Sequence, residues 1–317
     1  MQNKKKNTIL VTGSHRSGTT FVGKMLALSP NVGYIFEPFN KVLGVEGVDV
    51  WNPYIKNGGL LEKKYHYILK NVLNGKAKYK EPWKLSSKNK QELMLKTIAR
   101  NIFGDKKIRK YRLLKYKPWV TRLLIKDPIA CFSAEWMHKK LNMDTVIIIR
   151  HPVAFIGSIK RLNYKFDFQE FIKQKELMDD FLGERIDLNI DFNKLSIIEE
   201  GALLWNCIYS VLFAYLDRNP NMIGIRHEDI SNFPVEKFQY LYDKLNLVFT
   251  KKIEIIIKRF TNIDNPSDPV NNRPHVLKRN SQENIKRWKK LLNLNEIKQI
   301  RMLTEPLACK FYNDMDW

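Results

Sequence analysis

Residues 8–26, TILVTGSHRSGTTFVGKML, place a short apolar run, a turn with glycines at 13 and 18, and a stretch of helical character in immediate succession. The run 8–12 reads as a buried strand. The turn Gly13-Ser14-His15-Arg16-Ser17-Gly18-Thr19-Thr20 then passes directly into a helix. A strand, a glycine-containing turn and a helix N-terminus present free backbone N–H groups and the positive end of the helix dipole to one point, which is a cradle for an anion such as phosphate. The glycine spacing is GxxxxG, but Thr19 stands where a nucleotide triphosphatase carries the Lys that reaches the β/γ-phosphates. No evident acidic strand end supplies a magnesium ligand either. Instead Arg16, two positions before Gly18, puts a cation at the bridging end of a shorter ligand.

Four further runs read as strands: 33–37 (GYIFE), 122–126 (RLLIK), 145–150 (TVIIIR) and 222–226 (MIGIR). They alternate with stretches of helical period, and 195–216 carries Leu195, Ile198, Ala202, Trp205, Tyr209, Leu212 and Leu216 on one stripe, as core packing requires. The pattern predicts an α/β fold, a P-loop-type parallel sheet flanked by helices. Two intervals, about 40–120 and 163–195, break the alternation and are expected to be helical insertions that shape an acceptor cleft. Asn- and Pro-rich residues 262–275 predict a surface loop. No repeat or linker divides the chain, so residues 1–317 are expected to form a single domain.

The formal net charge of +22 favours phosphates, sulfates, nucleic acid or an anionic membrane face as partners. Cys131, Cys207 and Cys309 form neither a disulfide framework nor a metal-ligand cluster and are expected to be buried thiols. The opening MQNKKKN leads straight into the first strand without a signal-type apolar region, and no apolar stretch of 18 residues is evident. A soluble, cytoplasmic protein is the expectation.

The run Arg16-Ser17-Gly18-Thr19-Thr20 resembles the 5′-phosphosulfate loop of sulfotransferases that use 3′-phosphoadenosine 5′-phosphosulfate (PAPS). A second segment agrees. The strand at 145–150 ends in Arg150-His151-Pro152, with Ser158 eight positions after the Arg, similar to the motif that holds the 3′-phosphate. An Arg fork and a Ser hydroxyl suit that group. Arg122–Lys126 is similar to the strand before the acceptor site, and His227-Glu228-Asp229 to a Tyr-Glu-Asp segment. Arg279-Asn280-Ser281, with Trp288, is similar to the segment closing over the 3′-phosphate. These likenesses span roughly 8–37 and 122–312, and Glu37-Pro38 is most like the carbohydrate O-sulfotransferase branch. The phenol and steroid branch has a His after its acceptor-site strand, where this chain has Lys126-Asp127-Pro128.

The resemblance implies PAPS as donor, 3′,5′-adenosine diphosphate as product, no metal, and a glycan or glycolipid acceptor of acidic or neutral character. It implies cofactor binding by Arg16, Ser17, Gly18, Thr19, Thr20, Arg150, Ser158, Arg279, Asn280 and Ser281. Glu37 is the candidate base, Arg16 and Lys126 the groups that stabilise charge, and Asp127 the second choice of base or else the cap of the helix near Cys131. His15 is expected beside Phe21. Peripheral contact with an anionic membrane suits the charge. The rivals are a P-loop kinase using ATP and a basic nucleic-acid-binding protein, although no nucleic-acid-binding motif is visible and no nucleic-acid partner is expected.

Overall fold

The computed structural model describes residues 7–80, 106–266, 278 and 280–317. Arg279, His275 and residues 267–275 of the expected surface loop lie outside them. Strands β1 (Ile9–Gly13), β2 (Val32–Phe36), β3 (Arg122–Lys126), β4 (Asp144–Ile149) and β5 (Ile223–Arg226) form one sheet in the order β2-β3-β1-β4-β5. Every pairing is parallel. Each Ile/Val run became a strand with ends within one residue of those expected.

Successive strand residues face opposite sides, and here both sides are dry. Ile9, Val11, Leu124, Val146 and Ile148 pack with Val22 and Leu26 of α1 (Thr19–Leu26). Leu10, Ile125, Ile147 and Ile149 face the other way, in a second cluster with residues of the insertions. The first insertion contributes α2 (Glu62–Leu73) and α3 (Lys106–Leu114), and α4 (Ala134–Leu141) follows β3. Beyond β4 come α5 (Pro152–Leu162) and α6 (Gln169–Ile172). Helix α7 (Ile197–Arg218) starts at a capping box of Ser196 and Glu199 and buries Trp205, Tyr209 and Leu212 completely. By length and composition it could cross a bilayer, contrary to the expectation of no such stretch, but its apolar residues are mostly buried within the domain. The chain closes with α8 (His227–Asn232), α9 (Pro234–Lys244), α10 (Lys251–Thr261), α11 (Ser281–Lys286) and α12 (Leu294–Ala308). Cys131 and Cys207 are buried as expected, whereas Cys309 is exposed, just past the end of α12.

The strand order positions the site. From β1 the chain passes β3 to reach β2, returns to β3, and then crosses β1 to β4. Connections therefore leave β1 and its neighbours in opposite directions, opening a crevice at the carboxyl ends of the strands. The two insertions meet beside it. Glu170 accepts from Lys41 Nζ at 2.6 Å and from Trp51 N at 3.3 Å, Gln174 accepts from Tyr54 N at 2.7 Å, and Asp180 accepts from Tyr54 Oη at 2.7 Å.

Candidate active site

The loop after β1 admits no side chain at either glycine. A Cβ on Gly13 (φ 146°) would lie 2.4 Å from Ile148 O, and one on Gly18 (φ 93°) 2.4 Å from the ring of His227. Gly18 is the N-cap of α1, and no side chain caps that end. The first N–H groups of the helix lack intrahelical acceptors by geometry, and Gly18, Thr19 and Thr20 line the cleft. Ser17 tightens the turn instead of lining the cleft: its hydroxyl donates to Ser14 O at 2.6 Å. Tyr209 fastens the loop from below, 2.9 Å from Ser14 Oγ, while accepting from Arg150 N at 2.9 Å.

Arg16 sits in the left-handed region at φ 68° and turns towards α5, where its Nε donates to Ser158 Oγ at 3.1 Å. Arg150 donates through Nη1 to Arg16 O. These three, separated by up to 142 positions in sequence, line a small chamber of about 50 Å³ with Arg161, Arg287 and Asn284. Among the described residues, four guanidinium groups and no carboxylate line it. Arg150 Nε is buried without a hydrogen-bond partner among the described residues. Buried donors are normally paired, so this orphan asks for an acceptor from outside the chain.

The C-terminal residues brace this wall. Arg226 grips Asp316 at 2.6 Å, and Tyr312 and Trp317 pack edge-on against His151 with ring centroids 4.5 and 4.6 Å away. Tyr312 Oη donates to Glu228, which also accepts from His151 N at 3.2 Å. Burial raises the pKa of Glu228, with the charge of Arg150 opposing that rise. Burial lowers His151 to about 3, so its ring is neutral at physiological pH.

The small chamber shares Arg16, Arg150 and Asn284 with a larger cleft of about 690 Å³ that holds Gly18, Thr19, Thr20, Glu37 and Lys126. Glu37 is held in the left-handed region at φ 41°, and its N–H donates to Lys126 O at 2.9 Å. A non-glycine residue there is strained and persists because its surroundings fix it. Lys126, fully buried, pairs through Nζ with Glu37 Oε1 and lies 4.2 Å from the centre of the Phe36 ring. Burying an ammonium is unfavourable without a partner, and Glu37 is that partner.

Asp127 does not cap the helical turn at Cys131, whose N-cap residue is Ala130 with no side-chain bond. It accepts from Phe39 N at 2.6 Å and from Ile129 N at 2.9 Å, fully buried, and so fixes the turn that carries Glu37. Burial, followed by the charge of Glu37, raises its pKa to about 7. The folded state then holds a proton that the unfolded chain releases near pH 4, so the Asp127 contribution to stability falls between about pH 4 and pH 7 and is level above. In Asp127→Asn that dependence is absent. Melting temperatures across this window should show the wild type losing stability relative to the variant as pH rises; a constant difference, or the opposite slope, would contradict the assignment.

His15 packs against Phe155 and Tyr164, both at 5.2 Å, and not against Phe21. Burial and then Arg16 lower its pKa to about 4. Ser281 lines the cleft, its hydroxyl donating to Ser231 O at 2.8 Å. Asn280, expected to bind cofactor, is occupied as the cap of α11, accepting from Glu283 N at 3.1 Å and donating to Ile263 O at 2.9 Å.

Sequence reading missed Arg161, Asn284 and Arg287 and left Tyr209 in the core stripe. Nothing local marks these residues, because only the packing of α5, α7 and α11 brings them to the ends of β1 and β4. No protein-family model and no curated protein matches the chain. Among solved structures, the chain is similar to the sulfotransferase domain from the curacin biosynthetic pathway, with 13% identity, 94% of this chain and 96% of that one covered, and a TM-score of 0.43. It is similar to sulfotransferase STF9 from Mycobacterium avium, with 12% identity, 97% and 77% covered, and a TM-score of 0.43. It is likewise similar to mouse sulfotransferase SULT7A1 complexed with PAP, with 12% identity, 98% and 86% covered, and a TM-score of 0.42.

Proposed function

We propose that this chain is a cytoplasmic PAPS-dependent sulfotransferase that places a sulfuryl group on a hydroxyl of a carbohydrate or glycolipid. The observation that carries the reading is the pair of anion chambers joined at Arg16 and Arg150, one built from a helix N-terminus and one from guanidinium groups. A nucleotide phosphorylated at both 5′ and 3′ positions needs two such sites; ATP needs one. The departure at Thr19 from the Lys of triphosphatases points the same way.

Gly18, Thr19 and Thr20 would hold the 5′-phosphosulfate through backbone N–H groups, and Arg16, Arg150, Ser158, Arg161 and Arg287 would take the 3′-phosphate. When bound, the donor supplies an activated sulfuryl group and a phosphate leaving group. Glu37 accepts the proton of the acceptor hydroxyl, and Lys126 both orients that carboxylate and places positive charge beside it. Asp127 positions the turn from behind. Trp51, Tyr164 and Phe166 offer apolar faces along the rest of the cleft, beside Asn40, whose amide donates to Glu37 and accepts from Val42 N and Leu43 N. A few polar groups in an apolar wall suit a sugar ring.

Incubation with PAPS labelled in the sulfuryl group and a panel of saccharides and glycolipids, in a metal chelator, tests the reading. Label should appear in a hydroxyl-bearing acceptor. Transfer of the γ-phosphate of ATP in magnesium, with none from PAPS, would instead establish the kinase.

A further inference from the structure

A cationic platform stands outside the cleft, assembled from two segments far apart in sequence. Tyr111 of α3 donates to Val72 O at 3.0 Å and accepts from Ala77 N at 3.2 Å, fixing the helix to the end of α2. A Cβ on Gly75 would lie 3.7 Å from Lys115 Cβ, so the loop after α2 runs alongside the end of α3. Leu114 turns inward against Gly33 of β2. With Tyr111 and Leu114 facing in, Arg109, Lys110, Arg112 and Lys115 are left exposed, and Lys76 joins them from the neighbouring loop. Residues 71–78 and 106–121 contain no Asp or Glu. Among the described residues, no ion pair joins these cations to a carboxylate.

Large apolar side chains project among these charges. Leu113 is 44% exposed, Tyr116 68% and Trp119 59%. None of them lines either chamber of the cleft. They lie on one helix and its following turn and line neither cleft, whereas the bases of a single strand stack along a groove. Amphipathic aromatic rings beside Lys and Arg match the boundary of a bilayer, where the rings enter the headgroup layer and the cations meet anionic lipid.

We infer that this platform docks the protein on an anionic lipid surface, with Trp119 and Tyr116 inserting and the basic residues of α3 and its flanks held electrostatically. Flotation of the full chain with vesicles tests it. Binding to mixed phosphatidylglycerol–phosphatidylcholine vesicles should fall with added salt and be absent on phosphatidylcholine alone. The triple change Lys76→Glu, Lys110→Glu and Lys115→Glu should lower the partition coefficient by about 100-fold or more. The triple change Lys244→Glu, Lys252→Glu and Lys298→Glu shifts net charge equally and should lower it far less. Trp119→Ala should weaken binding while leaving its salt dependence, and circular dichroism confirms that each variant is folded. Equal loss in both triple variants, no binding to phosphatidylglycerol, or capture of single-stranded RNA by the platform in place of vesicles would each overturn the inference.

Discussion

Glu37→Gln is expected to lower turnover by about 10²–10⁴-fold while leaving nucleotide affinity nearly unchanged, the range for losing a positioned general base. Glu37 lies in the cleft at the end of β2, and its pairing with Lys126 fixes one carboxylate oxygen while the other accepts from Asn40 Nδ2 at 3.2 Å. Gln keeps the shape and can still accept from Lys126 through its amide oxygen, so the buried ammonium retains a partner. What it cannot do is take a proton. A fall in kcat with preserved binding therefore isolates proton transfer. Asp127→Asn is the comparison, because Asp127 is enclosed by the N–H groups of Phe39 and Ile129 and does not line the cleft. Full activity in Glu37→Gln with loss only in Asp127→Asn would transfer the role of base to Asp127.

The second large effect concerns Arg150. Arg150→Ala should weaken 3′,5′-adenosine diphosphate by roughly 1.5–3 kcal/mol, about 10- to 150-fold, and AMP hardly at all. The difference arises because the lost guanidinium lines the small chamber together with Ser158, where only a 3′-phosphate would reach. The backbone of Arg150 would stay in place, since its N–H donates to Tyr209 Oη and its carbonyl accepts from Trp205 Nε1 at 2.9 Å. The substitution also removes the charge facing buried Glu228, so thermal stability must be followed in parallel. Arg150→Lys keeps a charge there but not the planar fork, and should fall between wild type and Ala. Equal weakening of both nucleotides would place Arg150 elsewhere in the site.

The framework of the fold was legible because buried parallel strands leave a one-dimensional trace: runs such as TVIIIR have no solvent-facing side and therefore no alternation. The loop from Gly13 to Thr20 was legible for a similar reason, since close backbone contacts with Ile148 and His227 leave room for glycine only. The arginine chamber was half legible. Arg150 and Ser158 share one local segment, but Arg161 and Arg287 reach it from the ends of separate helical turns, and Arg16 reaches it only by adopting a left-handed backbone. Spacing assigned Arg16 to the sulfuryl end, and the residue lines both chambers, with its Nε bonded to Ser158, a contact that spacing did not indicate. Asn280 illustrates the converse. Its segment resembled a ligand-binding one, yet the need of α11 for an N-cap engages its side chain. The ring contacts of His151 with Tyr312 and Trp317 also left no sequence signal, since a C-terminal aromatic has no period to mark its partner.

Two anion chambers in one cleft imply selectivity for a nucleotide phosphorylated at both ends. Calorimetric titration of the full chain with 3′,5′-adenosine diphosphate, AMP and ATP, in the presence of a chelator, measures this directly. Tight, metal-independent binding of 3′,5′-adenosine diphosphate, with AMP weaker by at least the 10- to 150-fold attributed to the Arg150 contact, is the predicted result. Equal affinity for 3′,5′-adenosine diphosphate and AMP, or binding of ATP alone and only with magnesium, would contradict it.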